Sequence, residues 1–103
     1  MKKKLGANAL QTLEDIVALM EVTHDPDRLD ELEDLRVKLT KQISLLVDQS
    51  LDEESKEYKK AVAGLQAASA TIEQAIKGLE AIAEAINTAA QAVELVAKVA
   101  AMA

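Results

Sequence analysis

The sequence predicts an all-α protein, an antiparallel bundle of three helices whose last helix is long and rich in alanine. Hydrophobic residues make up 50% of the 103 residues, yet there is one Tyr and no Phe or Trp, so any core is aliphatic. Only three Gly and one Pro are present, which leaves little material for turns and favours a few long helices. The length is typical of one domain, and we expect a single helical domain over residues 1–103.

Helix 1 is predicted over about residues 6–23. Its apolar residues recur at the spacings of three and four that place side chains on one helical face. These positions are Leu10, Leu13, Ile16, Val17 and Met20. The helix is expected to end at His24 and Asp25, because Pro26 disfavours the α conformation for the residue before it.

Helix 2 is predicted over about residues 26–47. Asp25 can accept a hydrogen bond as the N-cap, and proline is favoured at the first helical position. The apolar face comprises Leu29, Leu32, Leu35, Leu39, Ile43 and Leu46. Short connections make successive helices antiparallel, so this face is expected to pack against the start of helix 3.

Helix 3 is predicted as one continuous helix over about residues 51–102, with Ser50 and Glu53 as a capping box. An apolar frame with a repeat of 3.5 residues runs through both Gly64 and Gly78 without a change of phase. The frame is Tyr58, Val62, Leu65, Ser69, Ile72, Ile76, Leu79, Ala83, Ile86, Ala90, Val93, Ala97 and Ala100. The alternative is a break near Gly64 to Thr71, which would produce a four-helix bundle.

The polar residues of the C-terminal segment form one narrow line on the predicted helix. This polar line consists of Glu73, Lys77, Glu80, Glu84, Asn87, Gln91, Glu94 and Lys98. Sixteen of the 19 alanines also lie in residues 61–103, where small side chains allow helices to approach closely. The rest of the circumference is a broad apolar arc that needs neighbours on several sides.

Helix lengths then favour self-association. A continuous helix 3 would span roughly 75 Å against roughly 33 Å for helix 2, leaving an apolar overhang of roughly 40 Å. Monomers rarely expose apolar patches of this size, and a second copy is the commonest partner. The predicted interface consists of Ile72, Ile76, Leu79, Ile82, Ile86, Val93 and Val96.

The residues needed for most catalytic and metal chemistry are missing. There is no Cys, and His24 is the only histidine, so thiolate sites, histidine metal sites and Ser/His triads lack components. The acidic run from Asp25 to Asp34 does not fit a calcium-binding EF-hand, which needs an oxygen ligand at Leu29 and glycine at Asp30. We therefore predict no enzyme activity, no cofactor and no metal.

Charge and the N-terminal residues bear on partners and location. A formal net charge of −6 disfavours nucleic acid and anionic membrane surfaces as partners. Lys2, Lys3 and Lys4 imitate the start of a signal peptide, but Glu14 and Asp15 interrupt the apolar stretch that should follow. No signal peptide is recognised, and a cytoplasmic location is favoured.

Two classes of function follow. The favoured one is a structural or adaptor protein that forms a dimer or higher oligomer, or binds another helical protein, through its C-terminal helix. The alternative is a membrane-active or pore-forming protein that inserts the apolar arc of residues 72–103. The acidic, non-aromatic character of that segment weighs against the alternative, because interfacial helices usually carry Lys or Arg beside Trp or Phe.

Overall fold

A computed structural model describes residues 4–47 and 53–102, excluding the side-chain environments of Lys4, Val47, Leu79 and Met102. The described chain forms four α-helices: α1 (Lys4–Val22), α2 (Pro26–Val47), α3 (Lys56–Lys77) and α4 (Ile82–Met102). A 3-10 turn over Leu79–Ala81 precedes α4. The all-α prediction is confirmed. The predicted number of three helices is wrong, and the four-helix alternative is observed.

The connection between α1 and α2 is short, and hydrogen bonds satisfy polar groups at the adjoining ends of both helices. The Thr23 hydroxyl is buried and donates to the carbonyl of Leu19, 2.6 Å away, at the end of α1. The Asp25 carboxylate accepts from the N–H of Asp27 at 3.0 Å, and the Asp25 carbonyl accepts from the N–H of Leu29 at 2.9 Å. Asp25 therefore caps α2, as its position before Pro26 predicts.

The start of α3 differs from the prediction. Ser55 is the N-cap, with an extended backbone, and its hydroxyl accepts from the N–H of Tyr58 at 3.1 Å. Glu53 and Glu54 precede the helix, so the predicted start near residue 51 is wrong. The predicted cap Ser50 lies outside the described residues.

The long C-terminal helix is interrupted at Gly78. This residue has φ −150° and ψ 108°, although its N–H still donates to the carbonyl of Gln74 at 3.0 Å. The predicted continuous helix over residues 51–102 is therefore wrong. The alternative break near Gly64 to Thr71 is also wrong in position, because α3 passes through both residues and the Thr71 hydroxyl donates within the helix to the carbonyl of Ala68.

Two physical reasons favour a bend at this point. Glycine is the weakest helix former apart from proline, and Gly78 lies near the middle of the apolar segment. Folding back lets each half cover the apolar face of the other. The constant phase of the frame did not exclude this outcome, because an apolar repeat can resume in the same phase after a bend.

The four helices form two hairpins that pack side by side. Helix α1 contacts α2 and α3, and α4 contacts the same two helices, so α2 and α3 lie on a diagonal. The predicted packing of Leu35, Leu39 and Ile43 on the start of the third helix is therefore wrong, because α2 lies against α1 and α4 instead. Hydrogen bonds join Leu5 to Tyr58 and Thr12 to Leu65, a constant offset of 53 residues that shows α1 and α3 to be parallel.

The core between the helices is aliphatic and depends on small residues where α3 meets α4. Large buried side chains include Leu5, Ile16, Leu19, Leu32, Leu39, Leu65 and Ile72. Buried alanines are Ala61, Ala68 and Ala75 on α3 and Ala85, Ala89 and Ala92 on α4. These alanines provide helix propensity and also permit the close approach of the two helices.

Candidate functional site

The predicted interface residues lie mainly inside the bundle. Ile72, Ile86, Val93 and Val96 are buried in the core, and Ile76 and Ile82 are half-buried against it. Leu79 lies in the 3-10 turn, and its side chain is outside the described part of the structure. The predicted overhang of about 40 Å does not exist in the described chain, because α4 folds back along α3 and both have about the same length.

The polar line is exposed along its full length. All eight of its side chains, from Glu73 to Lys98, face solvent on the outer surfaces of α3, the 3-10 turn and α4. The sequence therefore identified the solvent-facing side of this segment, although it did not identify the bend.

Helix α4 approaches α3 closely at Gly64. A Cβ placed on Gly64 would lie 3.6 Å from the Cα of Ala92 and 3.7 Å from its Cβ. The same Cβ would lie 2.9 Å from the Cδ1 of Leu95, the end of a side chain that can move. Gly64 thus marks a place where the α4 backbone lies close to α3, and the nearest atoms of α4 belong to Ala92 and Leu95.

Polar contacts instead join α1 to α3. The N–H of Leu5 donates to the Tyr58 hydroxyl at 3.0 Å, and both residues are buried. The buried Thr12 hydroxyl donates to the carbonyl of Leu65 at 3.2 Å and lies 3.1 Å from the Ser69 hydroxyl. These directional bonds define the register between the first and third helices.

Sequence reasoning did not find this polar pairing. Tyr58 and Ser69 belong to the predicted apolar frame, and Thr12 lies outside the predicted apolar face of helix 1. A usable signal was present, because Ser69 is a polar residue at a core position and needs a partner when buried. The partner could not be identified, because Thr12 is separated from it by 57 residues.

A carboxylate on α1 is also buried. Asp15 is 8% exposed, and its Oδ1 accepts from the Nε2 of Gln11 at 3.1 Å. Its Oδ2, like the Oε1 of Gln42 on α2, is buried without a hydrogen-bond partner among the described residues. Asp15 has no histidine or thiol beside it that would form a nucleophile and base, since His24 is exposed and the chain has no Cys.

The acidic run of α2 forms exposed ion pairs. The Nε of Arg36 donates to Glu33 at 2.9 Å, and the Nζ of Lys38 lies 3.1 Å from Asp34. The hydrogen bond from Arg36 lowers the pKa of Glu33 from its ordinary value of 4.5. Within residues 4–47 and 53–102, acids and histidine do not gather in groups of three that could hold a metal ion.

A shallow cleft of about 320 Å³ lies at the start of α3. Its walls are Glu53, Glu54, Tyr58, Lys59, Val62, Ala63 and Gln66. Lys59 forms an ion pair with Glu54 at 3.5 Å, and the Tyr58 hydroxyl accepts from Leu5. Lys59, Glu54 and Tyr58 are thus used in structural contacts.

Exposed large apolar side chains lie on the first hairpin. Leu10 on α1 is 48% exposed and Leu45 on α2 is 53% exposed, with Val17 and Val37 exposed to a lesser degree. The predicted apolar face of helix 1 is therefore wrong at Leu10 and Val17, because α1 turns the side that carries Leu5, Ala9, Thr12, Ile16 and Leu19 into the core. On α2 these residues are separated by charged neighbours such as Lys41, which is also exposed. No helix in the described part of the chain has the length and apolar content that a membrane crossing requires.

Comparison with known proteins identifies no relative: no family model, curated protein or solved structure matches this chain.

Proposed function

We propose that this protein acts by associating with a second copy of itself through its C-terminal helix, as a structural or adaptor protein without catalysis. One observation carries the proposal. Residues 56–102 keep a single apolar repeat of 3.5 residues although they form two helices separated by a bend.

The apolar repeat continues across the bend, which a closed hairpin does not require. A hairpin needs an apolar face on each helix, but the two faces need not continue in the same phase across the bend. A sustained repeat of 3.5 residues is the pattern by which long helices associate with each other. The composition of the frame, with alanine at many of its C-terminal positions, favours close helix pairing in such an association.

The experiment is a measurement of mass in solution by sedimentation and light scattering over a wide range of protein concentration. We expect a dimer whose population rises with concentration. A monomer at every concentration would contradict the proposal. A parallel assay of leakage from phosphatidylcholine vesicles tests the membrane alternative, for which leakage by the protein at low concentration would be required.

A further inference from the structure

The connection between α3 and α4 is short. Gly78 is the only residue between the end of α3 and the 3-10 turn Leu79–Ala81, and α4 follows directly. The φ of Gly78 is negative, so no left-handed residue holds the bend in place. Changing the backbone at this short segment would align α3 with α4 as one helix of roughly 70 Å.

Helix α4 is held by contacts that another molecule could reproduce. The interhelical hydrogen bonds found among the described residues join α1 to α3, whereas α4 packs through apolar side chains such as Ala92 and Leu95. Apolar packing is non-directional and requires only a matching surface. An α4 helix from a second copy offers the same surface.

Straightening would not bury charge. The members of the polar line follow at spacings of three and four through Gly78, so they occupy one face in a straight helix as well. They are exposed in the bent form too. The two forms therefore share the same solvent-facing side chains, and desolvation of charge does not oppose the change.

We propose that two copies exchange α4. In each chain α3 and α4 straighten at Gly78 into one helix, and α4 packs on α2 and α3 of the partner in the place it occupies in its own bundle. This inference rests on the proposed self-association and gives its structural route. The exchanged dimer keeps the contacts of the closed monomer and adds helical turns at the bend, against the entropy of association.

A cysteine pair distinguishes exchange from association of outer surfaces. The native chain has no Cys, so a Gly64→Cys, Ala92→Cys variant has one possible disulfide pair per bundle. The Cβ separation of 3.7 Å expected at these positions lies within the usual disulfide range of about 3.5–4.5 Å. The bond is within one chain in the monomer and between chains in the exchanged dimer.

The variant is refolded at high concentration, oxidised, and examined by light scattering and by a denaturing gel without reductant. A covalent dimer that reductant separates is expected. A dimer by light scattering that runs as a monomer on the gel would overturn exchange but retain self-association through outer surfaces. A monomer in both measurements would overturn both proposals.

Variants of the bend supply a test that does not depend on oxidation. Gly78→Ala favours the straight helix by at most about fivefold per chain, and thus at most about 25-fold in the dimer constant. The atoms nearest to its Cβ in the closed form would belong to the flexible carboxylate of Glu80, so the monomer also accepts it. Inserting Gly-Ser-Gly after Gly78 should have the opposite effect, because it interrupts the straight helix and relaxes the turn.

Gly6→Ala is the matched control. Gly6 lies in α1 and a Cβ there meets no atom within 4 Å, so this variant changes helix propensity without altering the bend. Sedimentation should show more dimer for Gly78→Ala, less for the insertion, and no change for Gly6→Ala. A dimer population that survives the insertion unchanged would overturn the exchange.

Discussion

The Tyr58 hydroxyl accepts a hydrogen bond from the backbone N–H of Leu5, 3.0 Å away, so the only aromatic residue satisfies a donor in the first turn of α1. The first N–H groups of a helix have no partner within the helix. Here the partner comes from α3, and both residues are buried.

Replacing Tyr58 with Phe should destabilise the protein. The ring would remain in the core, but the N–H of Leu5 would be buried without an acceptor, which costs about 1–3 kcal/mol. Urea unfolding followed by circular dichroism gives the free energy of unfolding. The exposed neighbour variant Lys59→Gln is the control and should change stability little, and equal stabilities for both variants would contradict the assignment of this bond.

The hydroxyl pair between α1 and α3 should show energetic coupling. Thr12→Val removes the hydroxyl with little change in shape, and Ser69→Ala removes its neighbour 3.1 Å away. Each change should cost about 1 kcal/mol, and the double variant should cost less than the sum because both remove the same bond. Additive losses in a double-mutant cycle would show that the two hydroxyls act independently.

The two faces of α2 should respond differently to loss of side-chain volume. Leu39 is fully buried, so Leu39→Ala should cost about 2–5 kcal/mol through lost burial and the cavity left behind. Leu45 is 53% exposed on the same helix, and Leu45→Ala should change stability by less than about 1 kcal/mol. If thermal unfolding shows similar losses of stability for the two variants, the outer face of α2 is covered in solution.

The Glu33 and Arg36 pair predicts a small dependence of stability on pH. The hydrogen bond from Arg36 lowers the pKa of Glu33 in the folded state below its ordinary value of 4.5. Its stabilising contribution is therefore present above that value and is lost as pH falls through the lower folded pKa. Carboxyl chemical shifts in an NMR titration should show the lowered pKa, and Arg36→Gln should return it toward 4.5. An unchanged midpoint in the variant would exclude Arg36 as the cause.

Local signals in the sequence were sufficient for α2 but not for the buried face of α1, where Leu10 and Val17 are exposed and Thr12 and Asp15 are buried. Asp25 and Pro26 specify where α2 begins, and the spacing of its leucines specifies which side enters the core. These features depend on residues close together in the chain, so capping chemistry and periodicity report them directly.

The bend and the arrangement of the hairpins depend on tertiary interactions between residues far apart in the chain. Gly64 and Gly78 have the same helix propensity, yet only Gly78 ends a helix. Gly64 instead provides close contact with Ala92. Helix propensity and the phase of the apolar repeat cannot distinguish these two roles of glycine. The role of each glycine depends on which residues of the other helices pack against it. For the same reason, the sequence does not predict the contact of Thr12 with Ser69 or the diagonal position of α2 and α3.

The parallel alignment of α1 and α3 has a consequence for folding kinetics. Contacts within each hairpin join helices that follow each other in sequence, whereas the bond from Thr12 to Leu65 closes a loop of 53 residues. Closing such a loop costs on the order of 3–4 kcal/mol of chain entropy before its contacts are gained. The two hairpins can form early, and their docking should limit the rate. Stopped-flow refolding of Thr12→Val should then be slower than that of Leu45→Ala, because only the first change weakens the surface on which the hairpins meet.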